Sequence, residues 1–226
     1  MKSQPISAAY PILALVFGIL FSSCQKDEEP NQFTGSQEEI EEFLTPELTE
    51  IMTDLGLEIN TGNTPPNIEG NYLAEAVLMS SSVAGDVPGK RFLDAVMKFE
   101  NQNNKDLSVT FSYAQTIESG TGIGALIAGS QDSFSAILKV EGTHGTGSAT
   151  AQLVMVISGK MTSEGIRDFQ WALFMLDNKG DSQYIANNTG RVFKELDNIA
   201  EKTTLSIPSG RLAPGLESSR KSAIGR

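Results

Sequence analysis

The sequence predicts a mainly β protein: an eight-stranded antiparallel up-and-down barrel preceded by a short α-helical segment. Three features of the chain predict this fold. Apolar and polar residues alternate along most of the chain after residue 68, short segments rich in Gly, Asn, Asp and Ser separate these stretches, and helical periodicity is confined to residues 37–55. Short links favour antiparallel neighbours, and closure removes the exposed edges of an open sheet. A β-sandwich with Greek-key crossovers is the alternative, because strand order cannot be read from one sequence.

The composition limits the classes of protein to which the chain can belong. Its 226 residues are 39% apolar, with 28 acidic and 17 basic side chains and a formal charge of −11. This apolar content is too high for a wholly disordered chain, and the sequence carries no collagen or coiled-coil repeat. The acidic balance offers no basic surface for phosphates, so we expect no nucleic-acid partner.

Residues 1–23 have the features of a signal peptide: Lys2 near the start, then an apolar run over residues 10–21 that ends in two serines. That run is shorter than the ~20 apolar residues that a membrane-spanning helix needs. Cys24 follows and is the only cysteine, so it has no partner for an internal disulfide. A secretory signal with an incidental cysteine is the alternative interpretation.

The stretch Leu20-Phe21-Ser22-Ser23-Cys24 resembles the lipobox of bacterial lipoproteins. This resemblance implies that Cys24 is acylated and becomes the mature N-terminus, which attaches the protein to a membrane through lipid. The polar, acidic residues 25–30 resemble the surface-export signal of lipoproteins from the Bacteroidota. We therefore expect an outer-membrane lipoprotein of the cell envelope, facing the periplasm or the outside, with a tether over residues 24–35.

The helical segment covers residues 36–59 and is called the helical neck below. Ser36 with Glu39 has capping-box spacing, and Thr45-Pro46 begins a second helix, so we predict helices over 37–44 and 46–55, the latter ended by Gly56. Apolar residues recur at three- and four-residue spacing on one face. We expect this face to pack on the main domain; a partner-binding helix is the alternative. Residues 60–66 are predicted to be a linker, 67–205 the barrel, and 206–226 a flexible tail with four basic residues.

Eight stretches of the barrel region have strand periodicity. They are residues 68–79, 91–100, 107–116, 121–129, 133–142, 148–160, 165–177 and 189–196. The stretch 171–176 is apolar on both faces. One face, with Phe169, Trp171, Leu173 and Met175, is predicted to line the interior. Phe174 and Leu176 on the other face are predicted to be covered by the helical neck.

Two short features resemble the lipocalins, a calycin-type barrel family. Gly70-Asn71-Tyr72 opens the first strand as Gly-x-Trp opens a lipocalin, with Tyr72 in place of the tryptophan, and Arg191 lies in the last strand where that fold places an arginine against the aromatic ring. The resemblance covers about residues 67–205. It implies that Arg191 stacks on Tyr72 as a structural plug at the bottom of the barrel; a surface arginine beside a hairpin is the alternative.

The same resemblance suggests a ligand. We expect non-enzymatic binding of a small apolar or amphipathic molecule in a barrel pocket. The inward residues predicted to line that pocket are Leu93, Met97, Phe99, Val109, Phe111, Tyr113, Phe134, Leu138, Met155 and Trp171. Many of these side chains are large enough to fill the interior themselves. The alternative is therefore a filled barrel that acts as a structural or protein-interaction module, whose protein partner the sequence does not identify.

The remaining motifs do not predict catalysis, a cofactor or a metal. Gly120 to Ala125 has the letters of the dinucleotide fingerprint, but no helix is predicted after it to present amides to a pyrophosphate. His144 is the only histidine, in a glycine-rich loop, and no Gly-x-Ser-x-Gly elbow accompanies it. A zinc site with several imidazoles is excluded, and Asp177, Asn178 and Asp181 lack the spacing of a calcium loop. We expect no catalytic residue, no cofactor and no metal.

Overall fold

The computed structural model describes residues 33–145 and 150–207. The predicted signal peptide, Cys24 and almost all of the predicted tail lie outside the described residues. The described residues belong to one compact unit, and both of their hydrophobic clusters lie inside it. This part of the chain therefore carries its own core. No helix in the described ranges is long and apolar enough to cross a membrane.

Two helices form where the capping signals predict them: α1 (Gln37–Leu44) and α2 (Pro46–Asp54). The Ser36 hydroxyl accepts a hydrogen bond from the Glu39 amide at 3.3 Å, and the Thr45 hydroxyl caps α2 by accepting one from the Leu48 amide. The Glu39 carboxylate accepts hydrogen bonds from the amide and hydroxyl of Thr34, which tie the entry of the chain to the first turn. These side chains satisfy amides that a helix start leaves without partners.

The described residues contain eleven strands in a single sheet. They are β1 (Asn63–Thr64), β2 (Gly70–Ala74), β3 (Ala76–Ser81), β4 (Ala95–Asn103), β5 (Ser108–Ala114), β6 (Glu118–Ser130), β7 (Ser133–His144), β8 (Thr150–Met161), β9 (Gly165–Asp177), β10 (Gly190–Glu195) and β11 (Ile199–Lys202). Strands β2, β4, β5, β6, β7, β8, β9 and β11 are hydrogen-bonded in that order, and β11 returns to β2, which makes a ring of eight antiparallel strands. The order contains none of the Greek-key crossovers of the alternative sandwich in the described part of the chain.

The ring closes along a seam made by two broken strands. β9 pairs with β10 through residues 170–174 and with β11 through residues 165–167, while β10 also pairs with β3, and β11 with β2. At the break between β2 and β3, the Glu75 amide donates to both carboxylate oxygens of Glu195, at 3.0 and 2.9 Å. Glu195 is only 3% exposed. A buried side chain therefore takes the place of a strand carbonyl at this amide.

Successive side chains of each strand point to opposite faces of the sheet, so the apolar residues form two separate clusters, one on each face. The inward residues form the cluster inside the ring. On β7 to β10 some outward residues are apolar too, and Ile40, Leu44 and Met52 of the helical neck pack against them in a second cluster. The prediction that the apolar face of the helices packs on the main domain is confirmed. Phe174 is buried in this second cluster as predicted, but Leu176 is 36% exposed and is not covered.

The structure differs from the strand prediction in three places. Asn63–Thr64, predicted as linker, form a short strand parallel to β6. The predicted first and second strands are altered, because the first breaks at Glu75 and the second begins at Ala95 rather than near residue 91. The final strand, β11, was not predicted at all, although it closes the ring.

Candidate functional site

One half of the ring interior, which we call the filled end, is packed with aromatic side chains. Tyr72, Phe99, Phe111 and Phe134 are each 1% exposed or less. Their rings are in contact around Phe99, with centroid distances of 6.1 Å to Tyr72, 5.2 Å to Phe111 and 6.4 Å to Phe134. The Tyr72 hydroxyl donates to the Ile68 carbonyl at 3.0 Å, and burial raises the pKa of this phenol to about 12. The Tyr72 phenol is therefore hydrogen-bonded and neutral at physiological pH.

The other half of the interior, which we call the open end, holds a cavity of about 90 Å³. It lies where the links β3–β4, β5–β6 and β9–β10 leave the ring. Its described lining is mostly apolar, and the side chains of Gln115, Glu118 and Arg191, together with the Tyr113 hydroxyl, add hydrogen-bonding groups. The deeper lining includes Met97 and Met155. The cavity is therefore apolar inside and polar toward the strand ends.

Nine of the ten side chains predicted to line a pocket lie in the ring interior, some around the cavity and some in the packed part. Met97, Tyr113, Met155 and Trp171 line the cavity. Five others belong to the packed interior and do not line the cavity: Phe99, Val109, Phe111, Phe134 and Leu138. Leu93 is 41% exposed and precedes β4, so it does not point into the ring. The prediction thus identified the interior but could not separate its filled half from its open half.

An aromatic wall forms one side of the cavity. The rings of Trp171 and Phe193 are stacked with centroids 5.1 Å apart, and Phe92 meets Phe193 edge to face at 5.1 Å. Trp171 and Phe193 lie opposite each other on β9 and β10, where register brings inward side chains together. Phe92 and Phe193 were not among the predicted lining residues. Phe92 was expected within a strand over residues 91–100, but it lies in the link between β3 and β4.

The lipocalin resemblance implied that Arg191 stacks on Tyr72, but in the structure it does not. Its guanidinium lies over the Phe92 ring, 4.9 Å from the centroid, and Nε and Nη2 donate to the Asp86 carboxylate at 2.6 and 3.2 Å. This ion pair is the main cause that holds the pKa of Asp86 below its ordinary value. Tyr72 lies in the filled end instead. Arg191 therefore belongs to the open end, neutralised by a carboxylate 105 residues away in sequence.

Glu118 is the charged group that the sequence did not single out. It begins β6, and the Tyr113 hydroxyl donates to its Oε1. Burial raises the pKa of the Glu118 carboxyl, against the opposite effects of the Tyr113 hydrogen bond and of nearby His144 and Arg191. Burial and the neighbouring carboxylate likewise raise the pKa of Tyr113 well above its ordinary value. As one acid among many in a short turn, Glu118 gave no sequence signal that distinguished it.

Glycines make room for this pair. A Cβ at Gly120 would lie 2.5 Å from the Tyr113 ring, and one at Gly142 would lie 3.3 Å from the Tyr113 hydroxyl. The run from Gly120 to Ala125 lies within β6, which continues to Ser130, so the helix that the dinucleotide fingerprint requires does not follow it. These two glycines allow Tyr113 to lie flat inside the ring beside Glu118.

His144 lies at the end of β7, opposite Glu118 in register. Its ring meets that of Tyr184 edge to face at 6.1 Å, and the Tyr184 hydroxyl donates to the Gly142 carbonyl at 3.1 Å. Burial raises the pKa of Tyr184 to about 12. Among the described residues, no group of three or more His, Cys, Asp and Glu side chains is placed to hold a metal ion.

Comparison with protein-family models, with curated proteins and with solved structures finds no match for this chain.

Proposed function

We propose that this protein is a cell-envelope lipoprotein, anchored through Cys24, whose ring of strands is a lipocalin-like barrel that binds a small apolar or amphipathic ligand without catalysis. The observation that carries the ligand is the cavity of about 90 Å³ at the open end, with aromatic and methionine side chains inside and hydrogen-bonding groups near the strand ends. Ligand sites commonly combine an apolar lining with a few placed polar groups. The membrane anchor and outer-membrane location rest on the lipobox resemblance around Cys24.

The size of the cavity limits the ligand. It is smaller than an engineered apolar cavity of ~150 Å³ that holds benzene. The part of the ligand that enters the ring is therefore about the size of a short alkyl chain. Anything larger must extend outward over the links, where the exposed apolar residues Leu93 and Ile117 directly follow and precede the lining residues Phe92 and Glu118 in sequence.

The alternative function is a filled ring that serves as a structural or protein-interaction module of the envelope. The tight aromatic packing of the filled end favours it, since this half has the character of a core. The helical neck is a poor partner surface in this alternative, because its apolar side already packs on the outer face of the ring.

Native mass spectrometry of residues 32–226 produced in the organism of origin tests the proposal. We expect a retained small molecule whose removal lowers the melting temperature. At a ligand concentration 100 times Kd, the stabilisation is about 2.7 kcal/mol, or about 5 to 10 °C for a chain of this size. A ligand-free mass, with a melting temperature that lipid and sugar extracts leave unchanged, would contradict it and favour the filled module.

A cavity-filling variant locates the binding. Ala95 lines the cavity and is 1% exposed, so Ala95→Leu adds three carbons to the space that the ligand needs. We expect this variant to fold but to retain no ligand. Ala84→Leu makes the same change at an exposed loop position and should bind as the wild type does. Retention of ligand by Ala95→Leu would place the binding elsewhere.

A further inference from the structure

At the open end, Glu118 is a half-buried carboxylate without an ion-pair partner among the described residues. Arg191 is held by Asp86 through two hydrogen bonds, and the Asp86 side chain of this ion pair is 6% exposed, so these two charges cancel locally. Glu118 has no such cationic partner: the one hydrogen bond to its carboxylate from the described residues comes from the neutral Tyr113 hydroxyl. His144 and Arg191 are the positively charged or titratable groups that act on it from β7 and β10. A carboxylate partly removed from water favours pairing with a cation over remaining alone.

The surroundings of Glu118 suit an organic cation. Tyr113, Trp171 and Phe193 line the same cavity, and ammonium groups are attracted to the faces of aromatic rings. Phe92 also lines the cavity, but Lys90 and Arg191 already lie over its ring. Met97 and Met155 lie deeper and offer flexible apolar contacts to an alkyl chain. The formal charge of −11 for the whole chain also favours the approach of cations over anions.

A carboxylate ligand is less well matched to this site. It would have to compete with Asp86 for Arg191, whose Nε and Nη2 are already bonded and whose guanidinium lies over Phe92. It would also bring a second negative charge near Glu118. An uncharged alcohol could fill the same volume but would leave the Glu118 charge without a counterion.

We infer that the open end binds a small primary alkylammonium compound, with its nitrogen on the Glu118 carboxylate and its alkyl chain among Met97, Met155 and Trp171. This inference rests on the proposed function and specifies the ligand class of that same cavity. A volume of about 90 Å³, at ~30 Å³ for each water-sized group, holds about three carbons, so the head group of a four-carbon compound lies toward the opening of the cavity.

The test compares n-butylamine, 1-butanol and butanoate, which share a chain length and differ in head-group charge. Binding to residues 32–226 at pH 7.5 is measured by calorimetry and by the fluorescence of Trp171, the only tryptophan of the chain and a lining residue. We expect butylamine to bind at least about tenfold more tightly than either other compound, the range for a hydrogen bond between charged groups. Glu118→Gln should lose at least about tenfold in amine affinity and leave 1-butanol unchanged.

Glu141→Gln is the matched control, since Glu141 is exposed on β7 and the variant makes the same change in charge without touching the cavity. It should bind butylamine as the wild type does, and a loss equal to that of Glu118→Gln would overturn the inference. Equal binding of amine and alcohol to the wild type would overturn it too, while leaving the proposed function standing. Tighter binding of butanoate than of butylamine would also overturn the inference, because it would indicate that Arg191 recognises the ligand.

Absence of binding by all three compounds would also overturn the inference. The proposed function is then judged separately by the ligand retained in native mass spectrometry. If the melting curve shows that Glu118→Gln does not fold, the comparison of the three compounds on the wild-type chain still tests the inference.

Discussion

Replacing Glu195 by glutamine is expected to remove much of the change in stability between pH 4.5 and pH 7. The Glu195 side chain is 3% exposed at the seam of the ring. Burial raises the pKa of its carboxyl from 4.5 to about 7, with a smaller contribution from the charges of Glu75 and Asp197, and against the hydrogen bonds from the Glu75 and Leu196 amides. The folded protein therefore keeps a proton on Glu195 at pH values where the unfolded chain has released it.

The magnitude follows from that difference in pKa. A rise from 4.5 to about 7, at about 1.4 kcal/mol for each pH unit, corresponds to about 3 kcal/mol. Since the unfolded state binds fewer protons in this range, the free energy of unfolding falls as the pH rises. The contribution of Glu195 to stability is fully present below pH 4.5 and is lost by about pH 7.

Urea unfolding, followed by Trp171 fluorescence at pH 4.5, 6, 7 and 8, measures how the free energy of unfolding changes with pH. The wild type should lose about 3 kcal/mol between the lowest and highest pH from this group, and Glu195→Gln should lose much less. Glu141→Gln, an exposed change of the same kind, should keep the wild-type profile. A Glu195→Gln profile parallel to that of the wild type would refute the reasoning.

Three further variants test the packing by their urea midpoints. Phe134→Ala should cost about 3–5 kcal/mol, because it empties the filled end, and a loss below 1 kcal/mol would mean that the ring interior is loosely packed. Gly165→Ala would place a Cβ 2.2 Å from the Ala200 carbonyl oxygen across the β9–β11 seam, so we expect a loss of about 1–3 kcal/mol; unchanged stability would contradict this register. Arg191→Ala should destabilise by about 2 kcal/mol, because the Asp86 carboxylate loses its ion-pair partner and keeps the hydrogen bond from the Ser81 hydroxyl. Adding Asp86→Ala should restore part of that loss, and simple additivity of the two changes would show that the residues do not interact.

Local signals in the sequence were sufficient for much of the fold. Ser36 and Thr45 are capping residues whose effect reaches only a few positions along the chain, so both helix starts were predicted correctly. The alternation of apolar and polar residues identified six of the eight predicted strands near their observed bounds, and the inward face of β9. These features depend on neighbours in sequence, which is why one chain was enough to predict them.

The features that were missed depend on distant parts of the chain. The break at Glu75 exists because Glu195, 120 residues later, accepts its amide hydrogen bond. Arg191 pairs with Asp86, 105 residues earlier, where the family resemblance implied Tyr72. Whether an inward phenylalanine fills the core or lines a cavity depends on what faces it across the ring, and alternation carries no information on that point.

The central claim, that a small ligand enters the ring at the open end, is tested most directly by methyl NMR on residues 32–226 with labelled methionines. Met97 and Met155 line the cavity, whereas Met52 belongs to the helical neck and is buried in the second cluster, and Met79 packs against that cluster. On addition of n-butylamine or 1-butanol, we predict shifts of the Met97 and Met155 methyl signals and unchanged signals from Met52 and Met79. Shifts confined to Met52 and Met79, or no shift of Met97 and Met155 with any ligand that stabilises the protein, would contradict the account.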